Sequence, residues 1–412
     1  MCLTAHFIDD DWKLHKRIIN FCQIPGHSGE LIGKAVEKCL ITWGIKRIMT
    51  ITVDNASSND VAVQYLKRRM NHHKTNVLNG DYLHMRCVAH ILNLVVRDGL
   101  KDVDDSILKI RGAVRYVRSS PARLQKFKAC AIEESLDTKS LVCLDVETRW
   151  NSTYLMLESA IKFKNAFTNL HSKDSTSVRE LRKCGGIPDE DDWNKVDVCL
   201  PFLKIFYDAT LRLSGSRYVT ANSYVFDAFG VGKMISKYCE SEDQGIKNMA
   251  KRMKEKHDKY WGNVNNLNIF MFIALALDPR RKMSYVDWVV QTSYDEIDGN
   301  LLMAKIKSAM KDLFASYVTS SPSLTSTNST SSNTSNTSST LNSNEVGQKK
   351  RVMDFEDFMT GEYKRERGGD TNGERKNELE KYLSDDCELE EKKLISYNGG
   401  RIELSLIPPS LL

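Results

Sequence analysis

The first part of the chain alternates between apolar repeats typical of strands and of helices. β-Branched and aromatic residues predict strands over Met1–Ile8, Trp12–Cys22 and Arg47–Val53. Apolar residues at helical spacing predict one helix over Ser28–Trp43 and another from about Asp60. The order strand, strand, helix, strand, turn, helix indicates a sheet domain of the α/β or α+β class.

From about residue 84 the apolar repeat becomes helical. His84–Leu100 has the pattern of an apolar helix, and Ile107–Phe127 that of a basic amphipathic helix broken at Pro121. The same repeat predicts further helices over Trp150–Leu170, Trp193–Leu213, Val219–Tyr238, Ile246–Trp261 and Leu301–Tyr317. A mainly helical region therefore follows the sheet region.

Composition changes after residue 318. Of the 26 residues from 319 to 344, 23 are Ser, Thr or Asn. Such a segment cannot bury enough apolar area to offset its chain entropy, so we predict a disordered linker. The predicted domains are a partial sheet domain over 1–95, a helical domain over 96–318, the linker over 319–350 and a C-terminal region over 351–412, whose tail shows no clear element.

Overall composition narrows the class of protein only moderately. The 412 residues carry a net charge of +5 and give a pI of about 8.5, which is compatible with a nucleic-acid partner but does not establish one. No apolar run reaches the roughly 18 residues of a membrane span, so we expect no membrane partner. The ten cysteines contain no CxxC pair, and we expect reduced thiols in an intracellular protein.

Asp54 is the first candidate for chemistry. It follows the predicted strand that ends at Val53, where sheet proteins commonly place ligand-binding residues. A carboxylate in this position can hold Mg²⁺, which prefers hard oxygen ligands. The alternative is that Asp54 caps the polar turn that follows it.

Three potential zinc ligands occur in the segment HMRCVAH, namely His84, Cys87 and His90. Zinc requires four protein ligands, or three and a water molecule. No second ligand pair follows at the distance found in zinc fingers. The alternative is that these side chains pack on a helix against the sheet.

Two basic features could contact nucleic acid. Arg149 precedes Trp150, and such a pair can hold a phosphate and stack on a base, although Trp150 could equally be a core residue. The segment 109–128 contains seven basic residues and no acidic one. A basic stripe formed by Arg111, Arg115, Arg118 and Arg123 suits a phosphate backbone, with an ordinary solvated helix face as the alternative.

Four segments occur along the chain in a characteristic order: RIMTITVDNASSND, HMRCVAHILNLVVRDGL, RYVRSSPARLQKFK and LDVETRWNSTYLMLESA. Together they resemble hAT-superfamily transposases, most closely the plant BED-finger proteins of the Ricesleeper and Daysleeper type. LALDPRRKMSYVDW and NELEKYLSDDCE extend the resemblance to roughly residues 1–390.

The resemblance implies an RNase H-like fold interrupted by a large helical insertion. It also implies an Asp-Asp-Glu triad that binds two divalent ions such as Mg²⁺. Asp54 matches the second aspartate of that triad, and Cys87 and His90 match a Cys-X-X-His motif beside the catalytic core. Arg149 and Trp150 match an Arg-Trp pair whose Trp is expected to stack on a base near the cleavage site.

Departures from the family pattern shape the functional hypothesis. The first triad aspartate normally lies on a strand before MCLTAHF, and the third acidic residue and the dimerisation region lie in a C-terminal portion whose match fades after Cys387. The BED finger also has no counterpart. The resemblance therefore implies an N-terminally incomplete core, in which Asp54 is a single possible ligand of an incomplete metal site.

Our leading hypothesis is a nuclear DNA-binding protein derived from a transposase and inactive in DNA cleavage and strand transfer. We expect no resident cofactor, no small-molecule substrate and at most weak self-association through the sheet edge. One alternative is a fragment of an active transposase. The other is a protein-interaction module that does not bind DNA.

Overall fold

The N-terminal part of the chain contains four short strands in two separate pairs. The computed structural model describes residues 1–215, 218–318, 378–384 and 387. Strands β1 (Cys2–Ile8) and β2 (Leu14–Phe21) form an antiparallel hairpin, and β3 (Ile51–Val53) and β4 (His84–Arg86) form a parallel pair. Among the described residues, strand hydrogen bonds join the members of each pair but do not connect the pairs.

Two helices pack against each other beside these strands. They are α1 (Gly29–Thr42) and α2 (Ser57–His72). The Ser28 hydroxyl accepts a hydrogen bond from the Leu31 amide, which confirms the predicted start of α1. Gly33 lets the helices approach closely, since an added Cβ there would lie 2.7 Å from the Tyr65 ring.

The predicted helix over His84–Leu100 is wrong at its start. His84–Arg86 forms β4, and the Ile51 amide donates to the Leu83 carbonyl at 2.7 Å. The helix α3 covers only Val88–Gly99. A strand of three residues is too short to show a period of two, so its apolar residues merged with the helical repeat that follows.

Between Val88 and Val318 the described residues are mainly helical. The break at Pro121 is confirmed, because Pro121 is the first residue of a new helix capped by Ser120. The predicted helix over Trp150–Leu170 is two helices, separated at Lys162 and Phe163. The helices are α4 (Asp104–Arg118), α5 (Pro121–Glu133), α6 (Trp150–Ile161), α7 (Lys164–Lys173), α8 (Ser175–Leu181), α9 (Glu190–Leu213), α10 (Ala221–Tyr238), α11 (Gln244–Trp261), α12 (Ile269–Ala276), α13 (Lys282–Ser293), α14 (Glu296–Val318) and α15 (Glu378–Ser384).

A single large apolar core joins these helices. The helix α9 contacts α3, α4, α6, α10 and α11, and its start is fixed by a capping box between Asp189 and Asp192. Residue 95, the predicted domain boundary, lies inside α3, whose Val95 and Val96 are fully buried in this core. We therefore describe residues 88–318 as the helical body and residues 1–86 as the sheet region.

The C-terminal helix docks onto the helical body. In α15, Leu379 and Tyr382 are buried, and the Tyr382 hydroxyl donates to the Leu277 carbonyl at 2.9 Å. The predicted linker over 319–350 and most of the region 351–412 lie outside the described residues. None of the described helices combines the length and the apolar composition needed to cross a membrane.

Candidate functional site

Asp54 and Cys87 lie at the same edge of the small parallel sheet. Asp54 follows β3 and Cys87 follows β4, and the Cys87 amide donates to the Val53 carbonyl at 2.8 Å. Because both strands run in the same direction, the loops at their carboxyl ends lie side by side. The structure therefore brings together the first two features that the sequence singles out.

The Asp54 carboxylate is engaged by its own loop. Its Oδ1 atom accepts hydrogen bonds from the Ala56 amide at 3.0 Å and from Asn59 Nδ2 at 2.7 Å. This is the geometry of an Asx turn, which directs the chain into α2. Asp54 thus stabilises the turn, as the alternative interpretation of the sequence predicts, and its side chain remains exposed.

A polar cluster that sequence reasoning missed lies beside this turn. Arg86 donates to Asn55 Oδ1 at 3.2 Å, and the Asp60 carboxylate lies 3.5 Å from Arg86 and 3.7 Å from His84 Nδ1. Burial and the Arg86 charge lower the pKa of His84, although Asp60 opposes them. The parallel register of β3 and β4 creates this cluster, and residues 31 apart in the sequence give no local sign of it.

The described residues do not by themselves fit a two-metal centre. Two ions about 4 Å apart require several carboxylates around one point. In the part of the chain that the structure describes, no three His, Cys, Asp or Glu side chains are grouped so that they could hold a metal ion. The Asp60 carboxylate beside the Asp54 turn lies 3.5 Å from the Arg86 guanidinium, and its Oδ1 atom has no hydrogen-bond partner among the described residues.

The HMRCVAH segment is divided between two elements. His84 lies on β4, whereas Cys87 caps α3 and His90 lies in the first turn of that helix. Cys87 and His90 are both partly buried. Burial, with a further contribution from the nearby Cys87 thiol, raises the pKa of Tyr224 to about 12. Cys87 therefore lies near enough to Tyr224 of α10 to influence its ionisation.

Arg111 is part of a buried ion pair. Its guanidinium lies 2.8 Å from the Asp145 carboxylate, which is fully buried and also accepts a hydrogen bond from Thr153. Only 11% of the Arg111 side chain is exposed. This pair connects α4 to the loop before α6.

The other arginines of the predicted basic stripe have different surroundings. Arg115 pairs with Glu147 at 2.6 Å, and both side chains are about half exposed (52% and 55%). Arg123 pairs with Glu180 at 2.7 Å and lies over the Tyr116 ring. Arg118 is exposed, and no described carboxylate pairs with it. Carboxylates that are remote in sequence therefore neutralise three of the four arginines.

Arg149 and Trp150 face opposite environments. Trp150 is only 4% exposed and lies between the rings of Tyr154 and Phe206, with centroid distances of 6.3 and 6.4 Å. Its indole Nε1 is buried without a hydrogen-bond partner among the described residues. Arg149, which caps α6, is exposed. In this conformation the arginine is available to a ligand and the indole ring is part of the core.

Three family models match successive segments of the chain. The ZBED1 RNase-like domain matches residues 1–82, and the ZBED1 RNase-like helical domain matches residues 85–201. A third model, described as hAT-like transposase, RNase-H fold, matches residues 222–317. The boundary between the first two falls at β4, where the sheet region meets the helical body.

Plant proteins match the same regions. The zinc finger BED domain-containing protein RICESLEEPER 1 of Oryza sativa subsp. japonica is 30% identical over 389 residues, which cover 93% of this chain and 51% of the relative. RICESLEEPER 2 of the same organism is 32% identical over 326 residues, or 78% of this chain and 44% of the relative. The chain belongs to the hAT-like transposase family. DAYSLEEPER of Arabidopsis thaliana matches at 26% identity over 93% of this chain and 50% of its own length.

Most of the candidate site residues lie within the segments that the family models match. The match to the first model includes Asp54, and the match to the second includes Cys87, His90, the basic stripe and the Arg-Trp pair. The chain spans about half the length of the curated relatives it matches. The resemblance expected from the sequence is confirmed, while the roles of individual residues remain predictions.

Proposed function

We propose that this hAT-like chain binds DNA in the nucleus and does not cleave it. The observation that carries the proposal is the distribution of charge along α4 and the loop before α6. Arg111 meets Asp145 and Arg115 meets Glu147, so the helix and the loop run side by side. Arg118 ends α4 and Arg149 directly precedes α6, and both cations are exposed.

These two cations offer what a phosphate backbone requires. Each exposed arginine can contact one phosphate, and the buried Arg111 pair below holds the surface in place. An exposed pair such as Arg115 with Glu147 contributes little to folding, so Arg115 can exchange its carboxylate for a phosphate. The family names of the relatives, which include BED zinc-finger proteins, add support for a DNA partner and hence for the nucleus.

The salt dependence of DNA binding tests this proposal. Counterion release gives a slope of about −0.9 in log K against log salt for each phosphate contact. The double variant Arg118→Glu/Arg149→Glu should therefore flatten the slope by about 1.8 and weaken binding strongly at low salt. The matched control is Lys251→Glu/Lys259→Glu, which makes the same change in net charge on exposed positions of α11.

Arg111→Glu is unsuitable for this experiment, because it would place a second carboxylate against the buried Asp145 and damage the fold. Equal DNA affinity of the wild type and the Arg118/Arg149 variant at low salt would exclude this surface. Loss of affinity in the α11 control as well would indicate an effect of net charge only. Absence of DNA binding by the wild type would favour the interaction-module alternative.

The proposal that the chain does not cleave DNA rests on the state of Asp54. Its carboxylate holds a turn, and the described residues around it do not supply further ligands for two ions. We expect no nicking with Mg²⁺ or Mn²⁺. Cleavage that Asp54→Asn abolishes and Asn59→Ala preserves would instead support an active transposase fragment, because Asn59→Ala weakens the turn without removing the carboxylate.

We propose that weak self-association occurs through the surface of the sheet region. Its apolar side chains Phe7, Ile18, Phe21 and Trp43 are all substantially exposed. Unpaired strand edges together with exposed apolar side chains promote contact between chains. Light scattering over a range of concentrations should show a monomer with concentration-dependent association, and a dimer that persists on dilution would contradict this.

A further inference from the structure

A cavity of about 480 Å³ lies between α10, α11 and the end of α13. Its volume falls within the range of about 300–1,000 Å³ that is usual for small-molecule sites. Phe229, His257 and Trp261 line the cavity and are only 3–6% exposed, whereas Thr292 and Ser293 line it from exposed positions. The cavity therefore has a buried floor of ring side chains and an open rim.

One polar atom on this floor lacks a hydrogen-bond partner. His257 Nε2 lies 2.9 Å from the Ala228 carbonyl oxygen. A carbonyl oxygen only accepts, so Nε2 carries the hydrogen, and in the neutral ring Nδ1 is left with a lone pair. Nδ1 is buried without a partner among the described residues. Because an unpaired buried acceptor costs free energy, the floor favours a ligand that donates an N–H or O–H group to this nitrogen.

The surroundings of the His257 ring hold it in place. The ring packs against α10 at Gly232, where an added Cβ would lie 2.6 Å from the ring atom Cε1. The Trp261 ring lies 4.6 Å away, measured between the ring centroids. Together with the hydrogen bond to Ala228, these contacts fix the position of Nδ1. An acceptor that is held by its neighbours in this way is typical of a pre-organised binding site.

The charges beside Nδ1 favour a neutral donor. Asp258 Oδ1 lies 3.5 Å from Nδ1, and Asp258 also lines the cavity. Both carboxylate oxygens accept hydrogen bonds from Lys254, at 2.7 and 2.8 Å, so this acid already has a cationic partner. A cationic ligand would compete with Lys254, and an anionic ligand would meet both the lone pair and the carboxylate. A neutral N–H or O–H group avoids both costs.

We propose that this cavity binds a nucleobase, with a base N–H group donating to His257 Nδ1. Nucleobases are neutral and flat and carry N–H donors on their edges, which suits the buried acceptor and the ring side chains of the floor. Ser236 and Ser293 line the cavity from exposed positions and offer hydroxyl groups to a sugar. The base comes either from a free nucleoside or nucleotide or from an unpaired position of a DNA strand. Binding of a free nucleoside does not depend on the DNA binding proposed above.

Calorimetry of the full chain with two nucleosides tests the proposal. Deoxyadenosine carries an amino group on its base, and purine 2′-deoxyriboside is the same molecule without that group. The wild type should bind deoxyadenosine, and it should bind purine 2′-deoxyriboside about tenfold more weakly because Nδ1 then stays unpaired. Equal affinity for the two nucleosides, or no binding of deoxyadenosine, would overturn the proposal.

His257→Gln removes the acceptor with little other change. The amide nitrogen of glutamine can take the place of Nε2 and keep the hydrogen bond to the Ala228 carbonyl, whereas the acceptor at the position of Nδ1 is lost. The variant should bind deoxyadenosine about tenfold more weakly than the wild type, and purine 2′-deoxyriboside equally well. Deoxyadenosine affinity equal to that of the wild type would show that His257 is not the acceptor, and the proposal would fail.

Ser293→Trp tests the location of the site without altering its floor. A large side chain at this exposed rim position should obstruct the cavity and abolish deoxyadenosine binding. Ser172→Trp makes the same change at an exposed position of α7, away from the cavity lining, and should bind as the wild type does. Undiminished binding by Ser293→Trp would place the nucleoside elsewhere and overturn the proposal. If His257→Gln does not fold, the two wild-type titrations and Ser293→Trp still decide the question.

Competition identifies the source of the base. A single-stranded oligodeoxyadenosine that displaces deoxyadenosine, when a duplex of the same length does not, assigns the site to unpaired bases of DNA. If neither displaces deoxyadenosine, the site is for free nucleosides or nucleotides.

Discussion

The sheet region and the helical body differ strongly in how completely they bury their apolar side chains. Among the described residues, the main apolar core begins at Val77 and contains no residue that precedes it in the sequence. Phe202 and Phe206, which belong to this core, are completely buried. In the β1–β2 hairpin no residue is fully buried, and Ile18 and Phe21 are 67% and 85% exposed.

This difference follows from the architecture of each region. Helices with apolar stripes can close around each other, and α9 passes through the middle of the helical body in this way. A two-stranded sheet has too little area to be stable alone and needs a further layer or further strands. In the sheet region the main packing is between α1 and α2, with Val36 and Leu66 among the buried residues.

The two candidate sites therefore lie on parts of the fold that are packed to different extents. The exposed arginines lie on α4 and at the start of α6, beside a buried ion pair and a large core. Asp54 lies between a three-residue strand and an exposed turn. The surface proposed to bind DNA therefore lies on the more extensively packed part of the fold.

The largest expected contrast comes from truncating a phenylalanine in each region. Phe206→Ala should lower the free energy of unfolding by about 3–5 kcal/mol, because it removes a ring that packs against Trp150 and Phe202 and leaves a cavity. Phe21→Ala should change it by less than about 0.5 kcal/mol, because most of that ring is already in solvent. Denaturant titration followed by circular dichroism measures both. Equal losses would show that the hairpin is covered in solution.

Removing one carboxylate from an ion pair in each region should give a second, smaller difference in the free energy of unfolding. Asp145→Ala should cost about 3–5 kcal/mol, since it leaves the largely buried Arg111 without its partner. Glu37→Ala, which removes the partner of Arg69 in the sheet region, should cost about 1 kcal/mol or less, because half of the Arg69 side chain is exposed. The same denaturant titrations apply. A larger loss for Glu37→Ala would mean that the sheet region depends on polar contacts more than its burial indicates.

The contrast between the regions also explains how far sequence reasoning reached. The long helices were predictable because each presents an apolar stripe over several turns, as in Trp193–Leu213 and Ile246–Trp261, which match α9 and α11 closely. Some short elements were not, although the strand predicted over Arg47–Val53 does contain β3. The strand β4 and the eight-residue α12, which is apolar on nearly all sides, carry too few residues for a period to appear.

The surroundings of the candidate site residues were also not predictable from local sequence patterns. The sequence indicates that segment 109–128 is basic, and the structure adds Asp145, Glu147 and Glu180, which neutralise three of its arginines from 32 to 57 residues away. Residue type alone also could not show that Trp150 faces the core and Arg149 the solvent. Pairing across the fold is decided by tertiary packing, which local patterns do not record.

A third prediction concerns pH and compares one histidine from each region. Burial lowers the pKa of His171 in the helical body, and burial with Arg86 lowers that of His84 in the sheet region. Below a pH of about 6.5 the unfolded chain takes up protons that the folded chain does not, so stability should fall as the pH decreases. The slope is limited to about 1.4 kcal/mol per pH unit for each histidine.

His171→Gln should therefore flatten the pH dependence of the main unfolding transition between pH 6.5 and 5. The ring donates or accepts only at Nδ1, toward Ser177, and its Nε2 is buried without a described partner, so protonation there has no compensating contact. His84→Gln should act in the same direction. If the sheet region unfolds separately, its effect will appear only in an earlier transition, whereas a single shared transition would argue against two regions of unequal stability.

The smallest expected effect is a gain of DNA affinity. Glu147→Gln removes the carboxylate that pairs with the half-exposed Arg115 and leaves that cation available for a phosphate. Affinity for duplex DNA should rise severalfold at low salt, and the slope of log K against log salt should steepen by about 0.9. Asp60→Asn is the matched change in the sheet region, since it releases Arg86 from its carboxylate. Fluorescence anisotropy at several salt concentrations measures both variants. If DNA contacts the helical body alone, Asp60→Asn will leave affinity and slope unchanged, whereas a comparable gain from Asp60→Asn would extend the DNA surface across β4 to the loop that holds Asp54.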